Sequence, residues 1–337
     1  MEIKEFGKLD TGATVHEYIL KNADCEVAIL DLGATVQRFV VYGTDIVGGY
    51  DSVEGYINDD SHQGGLIGRV ANRIADASFT MDGKEYLLPK NDGESCLHGG
   101  CGFDRRMWKY EGTEKREGAE SLTLSYLSAD GEEGFPAELA VKVTYTLAGT
   151  YLTIKYIAQP SARTPISLTN HTYFNLDGLG GTVLGHTVRI MADVYTEVDG
   201  SLIPTGRRPA VKGTTYDFTS PRKIGERIDE AGGYDHNYHI DYAVKDGLHD
   251  DELPLIATVD NGKIKLFVFT DQPCVQFYTG NFLGGKPDFK GGVERIKHGA
   301  LCLETQTEPN SIKRGIGFYD AGSTYTHTTV YGVERLK

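Results

Sequence analysis

Short runs of alternating apolar and polar residues, separated by glycine, aspartate and asparagine, follow one another along most of the chain. A period of two is typical of strands that bury one face. Two of the breaks, Asp82-Gly83 and Asn261-Gly262, have the composition of β-hairpin turns. The pattern predicts many antiparallel strands, of which the clearest are Cys25–Leu32, Ala34–Tyr42, Ser121–Ala129, Glu138–Leu147 and Tyr151–Ala158.

Helical signals are confined to two short segments. Residues 51–58 predict a helix capped by Asp51, and residues 220–228 predict a second helix that begins with Ser-Pro. No linker, charge block or internal repeat divides the chain. We therefore expect an all-β fold, a large antiparallel β-sandwich with very few short helices, in which residues 1–337 form a single domain.

The segment Ser167–Leu176 combines strand-forming residues with an unusual set of polar side chains. In an extended strand, leucine and phenylalanine would dominate one face, and a hydroxyl, an imidazole, a phenol and an amide would share the other. Such a polar face is turned to bulk water or lines a polar cleft, and we favour the cleft. The residues on this face are Thr169, His171, Tyr173 and Asn175.

A second predicted strand, Ala300–Gln306, repeats the arrangement, with a thiol, a carboxylate and an amide on one face. Single polar residues among apolar neighbours are usually satisfied structural groups. Together, His171 and Glu304 suggest an acid/base pair, because an imidazole and a carboxylate can exchange protons with a substrate near neutral pH.

Three further stretches are rich in polar residues. Gly68–Ile74 places two arginines and an asparagine between apolar residues, Leu97–Gly100 puts His98 before two glycines, and Gly232–Tyr238 surrounds Asp235 with aromatic residues. Arginine donors and a carboxylate suit vicinal hydroxyls, and glycine lets backbone approach a ligand closely. A structural salt bridge, an ordinary turn and an Asx-turn are the alternative interpretations.

The composition argues against several classes of partner. Asp and Glu number 48 and Lys and Arg 34, a formal net charge of −14, and no stretch dense in basic residues is present to bind nucleic acid. We find no signal peptide pattern and no apolar run near the ~18 residues that cross a bilayer. We expect a cytoplasmic protein without a nucleic-acid or membrane partner, and its oligomeric state stays open, a homodimer included.

The five cysteines, an odd number in a long chain, fit reduced thiols. Cys96 and Cys101 bracket a histidine, but no second closely spaced pair completes four ligands, so a structural zinc site is not expected. A metal-dependent enzyme that uses His98, His171 and Glu304 is one rival interpretation of the polar residues.

Six of these segments, taken in order, resemble motifs of the galactose mutarotase (aldose 1-epimerase) family. One such motif is weak evidence, whereas six in sequence argue against coincidence. The resemblance extends from about Gly64 to Tyr331. The matching segments are Gly68–Ile74, Leu97–Gly100, Asn170–Leu176, Gly233–Asn237, Gln276–Asn281 and Leu303–Gln306.

The resemblance implies interconversion of the α and β anomers of a free aldohexose such as D-galactose or D-glucose, in a cleft that needs neither metal nor cofactor. It assigns His171 as the general acid and Glu304 as the general base, and it makes a monosaccharide the partner molecule. The residues that it implies for binding and orienting the sugar are Asn72, Arg73, His98, Tyr173, Asp235 and Gln276.

Two departures from the family pattern leave the preferred aldose open. Ser95 stands where relatives commonly have asparagine, and residues 307–312 replace an aromatic-Pro-Asp pattern. The residues by themselves also allow two other functions: a glycoside hydrolase whose carboxylates are Asp235 and Glu304, and a non-catalytic carbohydrate-binding module.

Overall fold

The predicted runs form strands in which buried and more exposed side chains alternate. In Leu139–Ala148, every second side chain is buried. A computed structural model describes residues 1–241, 249 and 252–337. The strands of this part are β1 (Glu2–Lys8), β2 (Thr14–Lys21), β3 (Cys25–Leu30), β4 (Thr35–Val41), β5 (Thr44–Asp45), β6 (Leu66–Ile67), β7 (Arg73–Ile74), β8 (Ser78–Met81), β9 (Lys84–Leu87), β10 (Cys96–Leu97), β11 (Lys109–Arg116), β12 (Ala119–Ser128), β13 (Leu139–Ala148), β14 (Tyr151–Pro160), β15 (Thr164–Pro165), β16 (Thr169–Asn170), β17 (Tyr173–Phe174), β18 (Thr187–Ile190), β19 (Val194–Tyr195), β20 (Arg222–Lys223), β21 (Asp235–His239), β22 (Leu255–Asp260), β23 (Ile264–Thr270), β24 (Cys274–Tyr278), β25 (Leu301–Gln306), β26 (Phe318–Tyr319) and β27 (Tyr325–Arg335).

The largest sheet holds nine antiparallel strands in the order β11-β12-β13-β14-β27-β23-β22-β18-β20. A five-stranded sheet at the amino terminus follows chain order from β1 to β5, and a second five-stranded sheet has the order β17-β25-β24-β21-β19. Apolar side chains of all three sheets meet in one core cluster, which includes Val27, Val141 and Leu303. The predicted all-β sandwich with few helices is confirmed.

The second five-stranded sheet, which we call the site sheet, carries polar side chains on one face. Asn237 pairs with Gln276, and Gln276 pairs with Glu304, so these three residues lie side by side across β21, β24 and β25. The neighbouring residues Phe277 and Leu303 point to the opposite face and belong to the core cluster. Strand alternation therefore separates a core face from a polar face.

Two buried contacts attach the core face of β25 to the nine-stranded sheet. The hydroxyl of Tyr331 donates to the carbonyl of Leu303 at 3.0 Å, and Thr305 Oγ1 lies 2.9 Å from His327 Nε2. Burial lowers the pKa of His327 to about 3, so this imidazole is neutral at physiological pH. The strand that carries Glu304 is thus supported from behind by fixed hydrogen bonds.

Both predicted hairpins are confirmed. The strands β8 and β9 flank Asp82-Gly83, whose φ angles of +52° and +78° match the type I′ turn that suits strand twist. The strands β22 and β23 flank the turn at Asn261-Gly262.

The helix predictions fare differently. The first helix is confirmed as α1 (Val53–Asn58), but its cap is Ser52, which accepts from the Gly55 N–H at 3.3 Å, and not Asp51. The second prediction is wrong as a continuous helix, because Arg222–Lys223 form the strand β20, which pairs with β18. Ile224–Glu226 form a 3₁₀ turn, and α2 covers only Ile228–Ala231. Sheet pairing overrides the local start signal. The helices in the described part of the chain all lack the length and the apolar composition of a membrane span.

The predicted continuous strand Ser167–Leu176 is wrong as a single element. It forms two short strands, β16 and β17, which join different sheets. The side-chain oxygen of Asn170 accepts from the Thr172 N–H at 3.0 Å, a local turn that competes with a continuous ladder. Asn175 donates to the carbonyls of Gly181 and Gly299 and so supports the loop instead of lining a cleft.

Candidate active site

A cavity of about 460 Å³ opens on the polar face of the site sheet. Small-molecule sites commonly have volumes of about 300–1,000 Å³. Seven of the eight sequence-predicted site residues line it: Asn72, Arg73, His98, His171, Tyr173, Asp235 and Glu304. These residues come from segments that are far apart in sequence, and the fold brings them together.

The proposed acid and base face each other in this cavity. His171 Nε2 lies 3.7 Å from Glu304 Oε1, and the two residues are 5% and 2% exposed. The backbone of His171 is held by two bonds, one from the Gly64 N–H to its carbonyl at 2.9 Å and one from its own N–H to the Gly65 carbonyl at 3.0 Å. Glu304 is fixed in the centre of β25.

Burial sets the ionisation of this pair. It lowers the pKa of His171 to about 3, and the neighbouring His62 adds to this effect. Burial also raises the pKa of Glu304 well above its ordinary value, and the charge of Asp235 acts in the same direction. A glutamate with its reference pKa near 4.3 would be ionised at neutral pH, whereas burial in this site favours the uncharged form of each partner.

One oxygen of the base is left without a partner. Glu304 Oε2 and Gln276 Oε1 are buried and accept no hydrogen bond from the described residues. Buried acceptors are nearly always satisfied in folded proteins, by water or a ligand where protein groups do not suffice. The Glu304 carboxyl is therefore available to a hydroxyl group in the cavity.

His98, His171 and Glu304 also carry the side-chain types that bind metal ions. One ligand atom of each lies within 4.8 Å of the others. Metal-bound histidines usually donate the N–H of their other ring nitrogen. His98 Nδ1 instead accepts from the Asn72 N–H at 3.2 Å, so the neutral ring carries its proton on Nε2, the nitrogen left for a metal. This arrangement fits an acid–base cleft better than a metal centre.

Arg73 is oriented by a carboxylate that the sequence analysis missed. Its Nε donates to Asp92 Oδ2 at 2.6 Å, and Asp92 also lines the cavity. The N–H of Ser95 donates to the Asp92 carbonyl at 2.9 Å and so closes the turn that presents Asp92. Ser95 therefore lies in the turn that presents Asp92, and the bonds that close this turn are backbone bonds that asparagine would also form.

Asp235 is supported from β24. Its Oδ1 accepts from Gln276 Nε2 at 2.6 Å, and Gln276 is 4% exposed. Burial raises the pKa of Asp235, although Arg73 and this hydrogen bond oppose the increase. Gln276, predicted as a sugar contact, is the one predicted site residue that does not line the cavity, and it is placed to orient Asp235.

The other departure, residues 307–312, lies beyond the carboxyl end of β25. Glu308 is 6% exposed and forms ion pairs with Arg208 and Arg314. The side chain of Asn310 accepts from the Ala75 N–H at 3.1 Å and ties the segment to the end of β7, the strand of Arg73. This departure therefore supports the site from outside the cavity wall.

Several further residues that line the cavity, from four loops and from the ends of β10 and β24, were not predicted from the sequence. The run of polar residues Asp59–His62, directly after the first helix, is a sequence signal that could have identified the lining residues of that loop. The turn at Gly200 has an ordinary composition and gives no such signal. These further lining residues are Asp60, Ser61, His62, Asp92, Leu97, Gly200, Ser201, Leu202, Tyr278, Phe282 and Leu283.

Comparisons with known proteins agree with this geometry. The profile of a family described as aldose 1-epimerase matches residues 16–332. Galactose mutarotase from Bos taurus is 40% identical over an alignment of 337 positions, which covers 96% of each protein. Aldose 1-epimerase from Escherichia coli is 35% identical over 303 residues, which cover 86% of this chain and 85% of that protein.

Solved structures show the same fold. An aldose epimerase homologue from C. elegans has a TM-score of 0.84 at 26% identity and covers 95% of this chain and 100% of that chain. A galactose 1-epimerase from Lactobacillus acidophilus has a TM-score of 0.87 at 24% identity, over 100% of this chain and 99% of that chain. With the profile match and the relatives at 35–40% identity, the chain belongs to the aldose 1-epimerase family.

Proposed function

We propose that this protein interconverts the α and β anomers of a free aldohexose, with D-galactose and D-glucose as the first candidates, by acid/base opening and reclosure of the sugar ring. As a family member it is an isomerase, an aldose 1-epimerase, and we propose that residues 1–337 act as one domain. The observation that carries the proposed chemistry is the buried pair of His171 and Glu304, 3.7 Å apart in the cavity wall.

Ring opening requires the C1 hydroxyl to lose a proton while the ring oxygen gains one. In the proposed mechanism Glu304 takes the proton from the C1 hydroxyl, and His171 gives a proton to the ring oxygen as the C1–O5 bond breaks. Rotation about C1–C2 then presents the other face of the aldehyde. Reverse transfers close the ring, so the pair ends with the same number of protons.

The remaining contacts must hold the sugar while C1 turns. We assign this task to Arg73, His98 and Asp235, with Asn72, Tyr173 and Gln276 as neighbouring contacts. The support that Asp92 gives to Arg73, and Gln276 to Asp235, favours fixed positions for these groups. Fixed hydrogen-bonding groups cost less entropy on binding than mobile ones.

Replacement of the base tests the proposal. Glu304→Gln keeps the size of the side chain but cannot accept a proton, so we expect kcat to fall about 10²- to 10⁴-fold. Polarimetry of freshly dissolved α-D-galactose or α-D-glucose measures this rate. Glu17→Gln is a matched control, because Glu17 is also buried and pairs with Arg38 at 2.9 Å outside the cavity. A folded Glu304→Gln protein with a near wild-type rate would refute the assigned role.

The same cavity contains Asp235 and Glu304, the carboxylates that a glycoside hydrolase would use. Release of reducing sugar from aryl glycosides would favour hydrolysis, and sugar binding without any change in optical rotation would favour a binding module. Action only on free aldoses supports the epimerase. Rates for a panel of anomerically pure aldoses would identify the preferred sugar.

A further inference from the structure

A third imidazole, that of His62, lines the cavity beside His98 and His171. The ring centroids of His62 and His98 are 4.7 Å apart, and those of His62 and His171 are 6.0 Å apart. The side chain of His62 is 12% exposed. His62 takes no part in the proposed proton transfers.

A buried carboxylate fixes the orientation of this ring. His62 Nδ1 lies 2.8 Å from Asp104 Oδ2, and the Asp104 side chain is 4% exposed. Burial alone would raise the pKa of Asp104, but His62 and Arg105 together bring it below its ordinary value. An ionised carboxylate can only accept a hydrogen bond, so Nδ1 carries a proton and Nε2 is the nitrogen left for the cavity.

No described residue forms a hydrogen bond with His62 Nε2. A neutral imidazole accepts a hydrogen bond at this nitrogen, and a charged imidazole donates one. A sugar hydroxyl can do both, so it is a suitable partner in either state. The neighbouring cavity residues Asp60 and Ser61 add further polar groups to this wall.

The loop that carries His62 is fixed to the catalytic segment. Its glycines form the two backbone bonds that hold His171, and the side chain of Asn170 donates to the Gly64 carbonyl at 2.8 Å. A Cβ atom on Gly65 would lie only 2.6 Å from the Cβ of Asp104, so the glycine allows close packing against this carboxylate. His62, Asp104 and His171 therefore keep a constant spatial relation.

We propose that His62 is a sugar-binding and specificity-determining residue, that its Nε2 binds the hydroxyl on C2 or C6 of the aldohexose, and that Asp104 is its positioning residue. The inference rests on the proposed function. Because His171 is assigned to the ring oxygen, a group next to His171 is near C2 and C5, the carbons that flank the C1–O5 unit. C2 carries the C2 hydroxyl, and C5 carries the hydroxymethyl group with the C6 hydroxyl. Asp104 acts only by fixing the proton and the direction of the ring.

Deoxy sugars test this assignment. His62→Phe keeps an aromatic ring but removes the hydrogen bond, and we expect kcat/KM for the full hexose to fall about 10- to 100-fold, the usual effect of one strong hydrogen bond. For either the 2-deoxy or the 6-deoxy sugar, the wild-type and variant rates should become nearly equal. The 3-deoxy and 4-deoxy sugars should keep the full difference.

Asp104→Asn is a second variant that preserves side-chain size. We expect it to reduce kcat/KM in the same direction and to show the same deoxy sugar dependence. His16→Gln and Asp31→Asn are matched controls, since His16 Nδ1 and Asp31 Oδ2 form a pair of the same 2.8 Å length outside the cavity. We expect both controls to retain wild-type kcat/KM.

The outcomes separate the inference from the proposed function. A wild-type protein that changes the anomeric ratio of no aldose would overturn the proposed function and, with it, the inference. If the wild type is active, an equal loss for the full, 2-deoxy and 6-deoxy sugars would show a merely structural role for His62 and overturn the inference alone. Unchanged kcat/KM in both His62→Phe and Asp104→Asn would do the same.

Discussion

Burial is the main influence on the two residues that are assigned the proton transfers. It disfavours the cation on His171 and the anion on Glu304, so the pair holds one proton over a wide pH range. The reactive arrangement, with the proton on His171, is one of the two ways to place that proton. Among pairs that hold one proton, the fraction with that proton on His171 does not depend on pH, because both arrangements contain the same number of protons.

This sharing predicts the pH profile of kcat/KM, which reports the free enzyme. An ordinary glutamate base would cause activity to fall below about pH 4.3. Here the one-proton state is lost on the acid side only near the His171 pKa of about 3, and on the alkaline side when the pH exceeds the raised pKa of Glu304. We expect kcat/KM to stay constant from below about pH 5 upward, and to decline once the pH exceeds the raised pKa of Glu304.

Polarimetry in a series of buffers, corrected for the uncatalysed rate, measures this profile. The wild-type free energy of unfolding should be followed over the same range, so that denaturation is not mistaken for titration. A sharp acid decline near the reference pKa of glutamate, in protein that is still folded, would contradict the shared proton.

Among the elements, the loop after β10 shows how glycine positions a site residue. The sequence suggests that Gly99 and Gly100 bring backbone close to a ligand, but the structure puts Gly99 against the backbone of Gly68. A Cβ atom on Gly99 would lie 2.3 Å from the Gly68 carbonyl oxygen, and the φ of Gly99 is +81°. The glycine therefore packs the His98 loop on the segment that leads to Arg73.

Gly99→Ala should move the His98 loop away from the backbone of Gly68. The added methyl group meets rigid backbone, and we expect a loss of about 1–3 kcal/mol in the free energy of unfolding, with reduced kcat/KM because His98 moves. Gly118→Ala is a matched control, since Gly118 has a φ of +75° with nothing within 4 Å of the added Cβ. Urea unfolding measures both. Equal destabilisation of the two variants would show that backbone conformation, and not the close approach, is responsible.

The sequence predicts elements well where their causes are local. The turn at Asp82-Gly83 and the alternation in Leu139–Ala148 depend on neighbouring residues, and both predictions are confirmed. The division of Ser167–Leu176 between two sheets depends on distant strand partners. The site is predicted through recognisable motifs, whereas His62 enters the cavity from a loop whose position is fixed by contacts with Asp104 and His171.

At the scale of the whole molecule, Glu308 connects parts of the chain that are distant in sequence. One of its oxygens pairs with Arg208 at 2.5 Å and with Arg314, and the other accepts from Thr196 Oγ1 at 3.2 Å and lies 3.5 Å from His239 Nε2. Burial alone would raise the pKa of this carboxyl, but hydrogen bonds from His239, Arg208 and Arg314 and the charge of Arg314 hold it well below its ordinary value. The cluster therefore stabilises the fold while the carboxyl is ionised.

Glu308→Gln should destabilise the protein in a pH-dependent manner. A carboxyl whose pKa is lower in the folded state contributes its stabilisation fully above the unfolded pKa of about 4.3 and loses it as pH falls toward the folded pKa. We expect a loss of about 1–3 kcal/mol in the free energy of unfolding at neutral pH, and a smaller difference from wild type below about pH 4. Glu230→Gln removes the partner of Arg227 from an exposed pair and should have little effect at either pH. Urea unfolding at the two pH values tests this, and a difference that grows as the pH falls would contradict the role of the ionised cluster.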